Sequence, residues 1–326
     1  MSSPNSFVFG LTGAKQLTAR ICKYLKCQPS PITISHFADG EIMVRPEISV
    51  RSKCVTIIQS LVKPVNENLM ELLIAIDAMK RASASEINVI IPYLAYARQD
   101  RKTSGREPIT SKLVAGLIEK AGATRVAIVD IHSEQTQGFF EMPMDMLKAT
   151  FITIKCALSK VNRNRLTIVS PDYGAVKRAR SIAKVLNVPL AILDKRRPKP
   201  NQAEISNVLG DVKNYDCIIS DDMVDTGGTI TAACETLKKK GARNIILCAT
   251  HAVLSGKAIE RLTKAINDKI ISHIYFTDSI NYVNEVNLPN TTVCSLDKYL
   301  AKVINVYHSR KGSISEVYEE FVPNKF

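Results

Sequence analysis

The chain has 326 residues, a length typical of about two domains, and its 45% hydrophobic content is enough for two cores. Acidic residues interrupt the most apolar stretches, and the first residues lack the pattern of a signal peptide, so we expect neither a membrane span nor a secretory signal. The net charge of +13 is spread along the chain without a nucleic-acid-binding module or any Trp, which favours small polyanionic substrates over nucleic acid.

Short runs of β-branched and aliphatic residues alternate with amphipathic segments along the chain. In chain order, the predicted strands lie at 55–59, 87–91, 126–130, 166–170, 217–221 and 245–250, and the predicted helices at 68–82, 110–121, 174–186 and 229–240. Helices of this length between hydrophobic strands are typical of βαβ units and parallel sheets. Ligands of such sheets bind beyond the carboxyl ends of the strands.

Two stretches of the chain resemble each other in their pattern. Residues 120–126 and 240–245 each combine the end of a helix, a glycine and the start of a strand, and a histidine follows each strand. This repetition predicts two similar α/β halves, with a boundary near residues 146–150.

Two segments of the first half carry residues suited to a nucleotide. Phe37 could stack on a purine while Asp39 and Glu41 accept hydrogen bonds from an exocyclic amine, although the segment taken alone favours an ordinary turn. The segment 98–102, Arg-Gln-Asp-Arg-Lys, follows a predicted strand and could bind triphosphate oxygens. A solvated basic loop is the alternative for the second segment.

Acidic residues and a histidine follow two predicted strands. Asp130 and His132 come after the strand at 126–130, and Asp172 follows the strand at 166–170. Mg²⁺ takes few protein ligands together with water and phosphate oxygens. The pattern is therefore compatible with a magnesium site, although a lone histidine is more often structural.

The segment 194–200, Asp-Lys-Arg-Arg-Pro-Lys-Pro, is strongly cationic and contains two prolines. Its composition predicts a surface loop rather than a helix. Cations on a mobile loop can close over a phosphoryl group during transfer, whereas a bare run of charge is usually a solvated surface.

The most informative stretch is 218–230, in which aliphatic residues lead to Asp221-Asp222 and then to Asp225-Thr226-Gly227-Gly228-Thr229 before a helical pattern. This order predicts a strand, a tight turn and a helix. The backbone N–H groups of such a turn bind phosphate at the helix N-terminus, and the preceding acids suit the hydroxyls of a ribose. A sugar phosphate is therefore the predicted ligand.

Eight cysteines are scattered along the chain without a CxxC motif or metal-ligand spacing. Most of them lie in apolar runs, which is typical of reduced, buried thiols. We therefore expect a cytoplasmic protein.

Taken in order, these segments resemble the ribose-phosphate pyrophosphokinases, the class I PRPP synthetases. The resemblance extends from Phe7 to about Val317 and rests on seven motifs: FADGE (37–41), NLMELL (68–73), YARQDR (96–101), HSEQTQGFF (132–140), SPD (170–172), DKRRPKPN (194–201) and DDMVDTGGT (221–229).

The resemblance implies an α/β fold of two type I phosphoribosyltransferase-like domains, each a mostly parallel sheet flanked by helices. The expected domains are residues 1–148, to which about 308–318 return, and residues 149–307. It also implies a homohexamer and a Mg²⁺-dependent reaction in which ATP and ribose 5-phosphate give PRPP and AMP.

The resemblance assigns roles to individual residues. Lys195 and Arg197 would neutralise the transferring phosphates, and Arg197 would also hold ribose 5-phosphate. The resemblance further implies that ATP is bound by Arg98 and Gln99 and, from a neighbouring subunit, by Phe37, Asp39, Gly40 and Glu41. Ribose 5-phosphate would be bound by Asp221, Asp225, Thr226, Gly227, Gly228 and Thr229. Mg²⁺ would be bound by His132, Asp172 and Asp130.

Phosphate and ADP are the effectors that the resemblance implies, at a site that would include Ser49, Arg51, Ser83, Ser313 and Ser315. Three positions depart from the family pattern. Tyr173 stands where a small residue is usual, Glu141 where a shorter acid is common, and Glu86 where a basic residue is frequent.

Two other kinds of function would account for part of this sequence. A phosphoribosyltransferase that consumes PRPP would share the 221–229 loop, but the ATP-side segments and Lys195 favour the synthetase. An inactive associated subunit would be expected to lose Lys195 or His132, and a PRPP-sensing regulator would bring a DNA-binding domain; the sequence has neither sign.

Overall fold

A computed structural model describes residues 6–199 and 202–323, without the side chains of residues 6, 195–199, 202–206 and 284. The strands are β1 (Ser6–Gly10), β2 (Ile32–His36), β3 (Ile42–Pro46), β4 (Cys54–Ile58), β5 (Glu86–Ile91), β6 (Arg125–Val129), β7 (Met144–Leu147), β8 (Leu166–Ser170), β9 (Leu190–Lys199), β10 (Gln202–Leu209), β11 (Asp216–Val224), β12 (Asn244–Ala252), β13 (His273–Thr277) and β14 (Thr291–Cys294). The α-helices are α1 (Lys15–Leu25), α2 (Val65–Arg81), α3 (Thr110–Ala121), α4 (Thr150–Ala157), α5 (Val176–Leu186), α6 (Gly228–Lys239), α7 (Ala258–Asn267), α8 (Asp297–Ser309) and α9 (Ile314–Glu319).

Every strand and helix that the hydrophobic pattern predicts occurs in the structure, with ends that shift by a few residues. The chain forms two compact units. The first unit contains the residues up to Lys148 together with Ser279–Asn281 and Leu296–Glu319, and the second contains Ala149–Asp278, Tyr282–Ser295 and the chain from Glu320.

The segment that returns to the first unit is longer than the expected 308–318, because it includes all of α8. Helix α8 packs against α1, where Arg20 and Asp297 approach to 4.0 Å. At its other end, His308 Nε2 lies 2.9 Å from Thr56 Oγ1 on β4. These contacts tie the whole helix to the first unit.

The first unit is built on a parallel sheet with the strand order β1-β4-β5-β6-β7. Its central strands are continuous hydrophobic runs, and residues such as Ile57, Val89 and Ile128 have no exposed surface. Such runs are expected where both faces of a parallel sheet are covered. The antiparallel hairpin β2–β3 stands apart from this sheet and packs against α2.

The second unit contains a sheet with the order β10-β9-β8-β11-β12-β13-β14, in which β9 and β10 are antiparallel and the other pairs are parallel. Strand β11 lies at the centre of this sheet, between β8 and β12. The mostly parallel α/β fold class expected from the sequence is confirmed.

A buried ion pair fixes the start of β11. Asp216 is completely buried, and its carboxylate accepts hydrogen bonds from Arg243 Nε (2.8 Å), the Asn162 backbone N–H (2.7 Å) and Asn244 Nδ2 (2.9 Å). Burial raises the pKa of this carboxyl, but the hydrogen bonds outweigh that effect and the pKa lies below its ordinary value. A buried charge that is satisfied in this way holds β11 in register with its neighbours.

The sequence-based expectation for residues 194–200 was wrong for the backbone that the structure describes. Residues up to Lys199 continue strand β9 and pair with β10, with Lys195 opposite Ile205. The pairing of β9 with β8 ends at Ile192, so the cationic stretch belongs to a two-stranded extension of the sheet. Pairing with β10 satisfies the backbone where composition alone suggested a loop.

Among the described residues, no helix is long and apolar enough to cross a membrane.

Candidate active site

The FADGE segment forms the tip of the β2–β3 hairpin. The Phe37 N–H donates to the Glu41 carbonyl (2.8 Å), and the Gly40 N–H donates to the Phe37 carbonyl (2.9 Å). Gly40 has φ +95°, a conformation that glycine adopts without strain. The turn leaves the Phe37 side chain 58% exposed, so its ring is available for stacking.

The basic segment after β5 is anchored by its backbone and presents Arg98 and Gln99 at the surface. The Gln99 carbonyl accepts a hydrogen bond from the Ser111 N–H (3.2 Å), and Gln99 Oε1 accepts one from Thr110 Oγ1 (2.6 Å) at the start of α3. These bonds fix the position of Gln99 relative to α3.

The structure brings the FADGE hairpin and the basic segment to the same end of helix α2. His36 Nε2, at the hairpin, lies 3.0 Å from Glu67 Oε1. The Tyr96 hydroxyl, just before the basic segment, donates to Asn66 Oδ1. The two predicted nucleotide segments are far apart in sequence, yet His36 and Tyr96, which precede them, contact adjacent residues in the first turn of α2.

The predicted metal ligands belong to different units. Asp130 and His132 follow β6 in the first unit, where the Asp130 N–H donates to the Leu147 carbonyl (2.8 Å) and His132 is exposed. Asp172 follows β8 in the second unit. Within the described residues, no three His, Cys, Asp or Glu side chains are grouped closely enough to hold a metal ion by themselves.

The environment of Asp172 suits a Mg²⁺ ion that keeps most of its water and phosphate ligands. Asp172 Oδ1 accepts a hydrogen bond from the Ala175 N–H (3.0 Å), which orients the carboxylate at the N-terminus of α5. A Cβ at Gly174 would lie 3.3 Å from the same oxygen, so the chain approaches it closely. Tyr173, one of the departures from the family pattern, is 58% exposed.

The 221–229 segment has the predicted order of strand, turn and helix. Strand β11 ends at Val224 and helix α6 begins at Gly228, with Gly227 as its N-cap at φ +75°. Thr231 Oγ1 donates to the Gly227 carbonyl (2.9 Å), while Thr226 and Thr229 are exposed. The N-terminal N–H groups of α6 are therefore presented at the carboxyl end of the central strand, where an anion binds.

The acidic pair that precedes this turn shares one guanidinium. Arg178 Nη1 lies 3.3 Å from both Asp221 Oδ1 and Asp222 Oδ1. Burial and the neighbouring charge of Asp222 raise the pKa of Asp221 to about 8, although Arg178 acts in the opposite direction.

Lys195 and Arg197 lie on β9, but their side chains are outside the described part of the structure.

The residues expected at the effector site all lie in the first unit. The Ser83 carbonyl accepts from the Ser52 N–H (2.8 Å), which joins the turn after Arg51 to the end of α2. The hydroxyl of Ser313 accepts from the Glu316 N–H (3.1 Å) at the start of α9. A cavity of about 470 Å³ is lined by Ser313, Arg310 and Glu86, and its acidic residue is paired with that arginine.

Sequence reasoning missed two arginines of the second unit. Arg178 contacts the acidic pair from α5, and Arg261 Nη1 donates to the Thr226 carbonyl (2.8 Å) from α7. Both contacts join residues more than 30 positions apart, and neither arginine stands in a motif that indicates a partner.

Comparisons with known proteins cover both units. A family model described as the N-terminal domain of ribose phosphate pyrophosphokinase matches residues 6–122, and a model described as the phosphoribosyl transferase domain matches residues 144–285.

Individual relatives match over almost their whole length. The chain is 51% identical over 314 residues to a ribose-phosphate pyrophosphokinase of Ureaplasma parvum, covering 96% of this chain and 94% of that protein. It is 48% identical over 322 residues to one of Mycoplasma pneumoniae, covering 99% and 98%. The crystal structure of phosphoribosylpyrophosphate synthetase from Mycobacterium smegmatis has a TM-score of 0.86 and 38% identity, covering 94% of this chain and all of that one.

Proposed function

The chain belongs to the ribose-phosphate pyrophosphokinase family, and from that premise we propose which of its residues bind each substrate. The chain is an enzyme that transfers the β,γ-diphosphoryl group of ATP to the 1-hydroxyl of ribose 5-phosphate, giving PRPP and AMP. The match along both units, at 48–51% identity, is the observation that carries this conclusion. A phosphoribosyltransferase or an inactive associated subunit is not favoured.

The second unit binds ribose 5-phosphate in this proposal. Thr226, Gly227, Gly228 and Thr229 surround the 5-phosphate at the N-terminus of α6, and Asp221 and Asp225 accept from the ribose hydroxyls. The φ of Gly227 and the exposure of both threonines support this assignment, because they form an open turn of N–H and hydroxyl donors.

The first unit binds ATP. Arg98 and Gln99 contact the nucleotide from the segment after β5. Phe37, Asp39, Gly40 and Glu41 reach the adenine of a neighbouring subunit, with the exposed Phe37 ring stacked on the base. The exposure of Phe37, Arg98 and Gln99 supports these assignments, because backbone hydrogen bonds hold each residue in a defined turn.

Charge stabilisation carries most of the rate enhancement, because the protein has little covalent work to do in this transfer. Lys195 and Arg197 neutralise the phosphates in transit, and Arg197 also contacts ribose 5-phosphate. Asp130 and His132 of the first unit and Asp172 of the second are the residues that would bind Mg²⁺, by carboxylate oxygens and an imidazole nitrogen. When bound, the ion neutralises charge on the ATP phosphates.

A product assay tests the reaction. Purified protein with Mg²⁺, ATP and ribose 5-phosphate in phosphate buffer is expected to form AMP and PRPP in equal amounts. Formation of AMP without PRPP, or the absence of turnover, would contradict the assignment. Repeating the assay with added ADP and without phosphate tests the effectors. An effector site at Ser49, Arg51, Ser83, Ser313 and Ser315 requires that phosphate activate the enzyme and that ADP inhibit it.

We also propose that the enzyme is a cytoplasmic homohexamer. The eight cysteines of the described chain are all free thiols, as a reducing compartment requires. An apolar stripe along α3 and the residue that precedes it supports assembly: Ile109, Leu113 and Leu117 recur at intervals of four residues, and Leu113 is 59% exposed. Such a contiguous exposed stripe is typical of a surface that another chain covers.

Replacing Leu113 by Glu is expected to reduce the mass of the assembly, because a charge in the stripe would be buried at the interface. Light scattering coupled to size-exclusion chromatography measures this change. Leu209→Glu is the matched control, since Leu209 is an exposed leucine of the second unit and its replacement should leave the mass unchanged. An unchanged hexamer in Leu113→Glu would show that α3 is not an interface.

A further inference from the structure

In the proposed function the turn at 225–228 surrounds the 5-phosphate, and residues of the segment 254–261 hydrogen-bond to its backbone. Three consecutive carbonyl oxygens at the end of β11 accept hydrogen bonds from this segment. The Leu254 N–H donates to Val224 (3.0 Å), the Ser255 N–H donates to Asp225 (3.0 Å), and Arg261 Nη1 donates to Thr226 (2.8 Å). Two of these donors are backbone groups, and the third is a side chain.

The direction of these carbonyls sets the direction of the N–H groups that follow them. In a trans peptide the C=O and N–H bonds point to opposite sides of the chain. The N–H groups of Asp225, Thr226 and Gly227 therefore point away from the segment 254–261, to the side on which the proposed function places the phosphate. That is the side on which a phosphate meets the helix N-terminus.

The orientation of the peptide between Thr226 and Gly227 depends on a hydrogen bond from outside the turn. Gly227 has φ +75°, and glycine adopts both signs of φ at similar cost, so its own backbone preference does not fix the plane of this peptide. A rotation of the plane would turn the Gly227 N–H away from the phosphate. The hydrogen bond from the charged guanidinium of Arg261 opposes that rotation.

The position of α7 allows little other movement of the turn. A Cβ at Gly227 would lie 3.4 Å from the Ala258 Cα, and one at Gly228 would lie 3.4 Å from Arg261 Nη1. The segment that donates the hydrogen bonds is itself anchored, because the Tyr282 hydroxyl donates to the Val253 carbonyl (2.5 Å).

We propose that Arg261 is a positioning residue for ribose 5-phosphate: by holding the Thr226 carbonyl, it aims the Gly227 N–H at the 5-phosphate. The inference rests on the proposed role of this turn. Arg261 acts through the backbone, so its loss should weaken binding of the sugar phosphate while leaving the ATP side unchanged.

The test compares Arg261→Met, Arg261→Lys and Lys264→Met. Lys264 is an exposed cation on the same helix, so its replacement removes the same charge without touching the turn. Calorimetric titration with ribose 5-phosphate alone gives Kd, and steady-state kinetics give kcat and the two KM values. Arg261→Met should raise the Kd and KM for ribose 5-phosphate about 10-fold, with kcat and the KM for ATP within about 3-fold of wild type.

Arg261→Lys retains a cationic donor and should recover most of the affinity, and Lys264→Met should match wild type. A Kd for Arg261→Met within twofold of wild type would overturn the proposal, as would equal losses in Arg261→Met and Lys264→Met, which would indicate bulk charge. If Arg261→Met does not fold, Arg261→Gln takes its place: a rise confined to the Kd and KM for ribose 5-phosphate supports the proposal, whereas equal changes in kcat and both KM values would overturn it. Failure of the proposed function is distinguishable, since wild type would then bind ribose 5-phosphate without forming PRPP.

Discussion

Lys195→Ala is expected to lower kcat by about 10³-fold. In the proposed mechanism the Lys195 ammonium neutralises negative charge that is redistributed between ATP and the attacking sugar as the diphosphoryl group moves. An interaction of this kind is strongest in the transition state, so its loss should lower kcat and kcat/KM together. Steady-state assays with each substrate varied in turn measure both quantities.

Binding and folding should survive the same substitution. Lys195 lies on the part of β9 that extends beyond the pairing with β8, so we expect its replacement to leave the parallel part of the sheet intact. The Kd for ATP, measured without ribose 5-phosphate, and the melting temperature should remain close to wild type. Lys213→Ala removes an exposed lysine from the loop after β10 and is the control, with kcat unchanged. A Lys195→Ala enzyme that keeps its kcat would remove this residue from the catalytic step.

The elements of the fold were predictable because each has a strong local signal. The strands at 87–91 and 126–130 are hydrophobic runs, and both were predicted within one residue of their observed ends. The order of strand, turn and helix at 218–230 was equally clear, because Gly227 and Gly228 interrupt a β-branched run immediately before a helical pattern. Local chemistry decides these features.

The features that the sequence did not reveal depend on contacts between distant residues. Residues 195–199 carry charge and a proline that are typical of a loop, but pairing with β10 makes this backbone a strand. Arg178 and Arg261 look like ordinary surface cations of α5 and α7, and only the packing of these helices brings them to Asp221 and Thr226. The length of the segment returning to the first unit depends in the same way on the packing of α8 against α1.

Asp221→Asn is expected to lower kcat/KM for ribose 5-phosphate by about 10- to 100-fold at pH 8, the cost of losing a charged hydrogen-bond acceptor. The pH dependence provides a more specific test. Because burial and Asp222 raise the pKa of Asp221 to about 8, wild-type kcat/KM for ribose 5-phosphate should increase as this carboxyl ionises, from about pH 7 to about pH 9. The Asn variant cannot ionise there, so its profile should lose this increase.

Asp222→Asn should move the pH dependence of kcat/KM instead of removing it. It removes the like charge beside Asp221 and leaves Arg178 to stabilise the remaining carboxylate, so the increase in kcat/KM should move to lower pH. If Asp221→Asn keeps the wild-type pH profile, a different group is responsible for it.

Unfolding measurements separate binding from stability in these variants. The folded wild-type chain holds the Asp221 proton more tightly than the unfolded chain does, so this group's contribution to stability is complete below its unfolded pKa and is lost as the pH rises through the raised pKa. Asp221→Asn removes that dependence. The stability of the variant relative to wild type should therefore be greater at alkaline pH than at acidic pH. If Asp221→Asn is folded and relatively stable at pH 9 but binds ribose 5-phosphate poorly, the negative charge of Asp221 serves substrate binding and not stability.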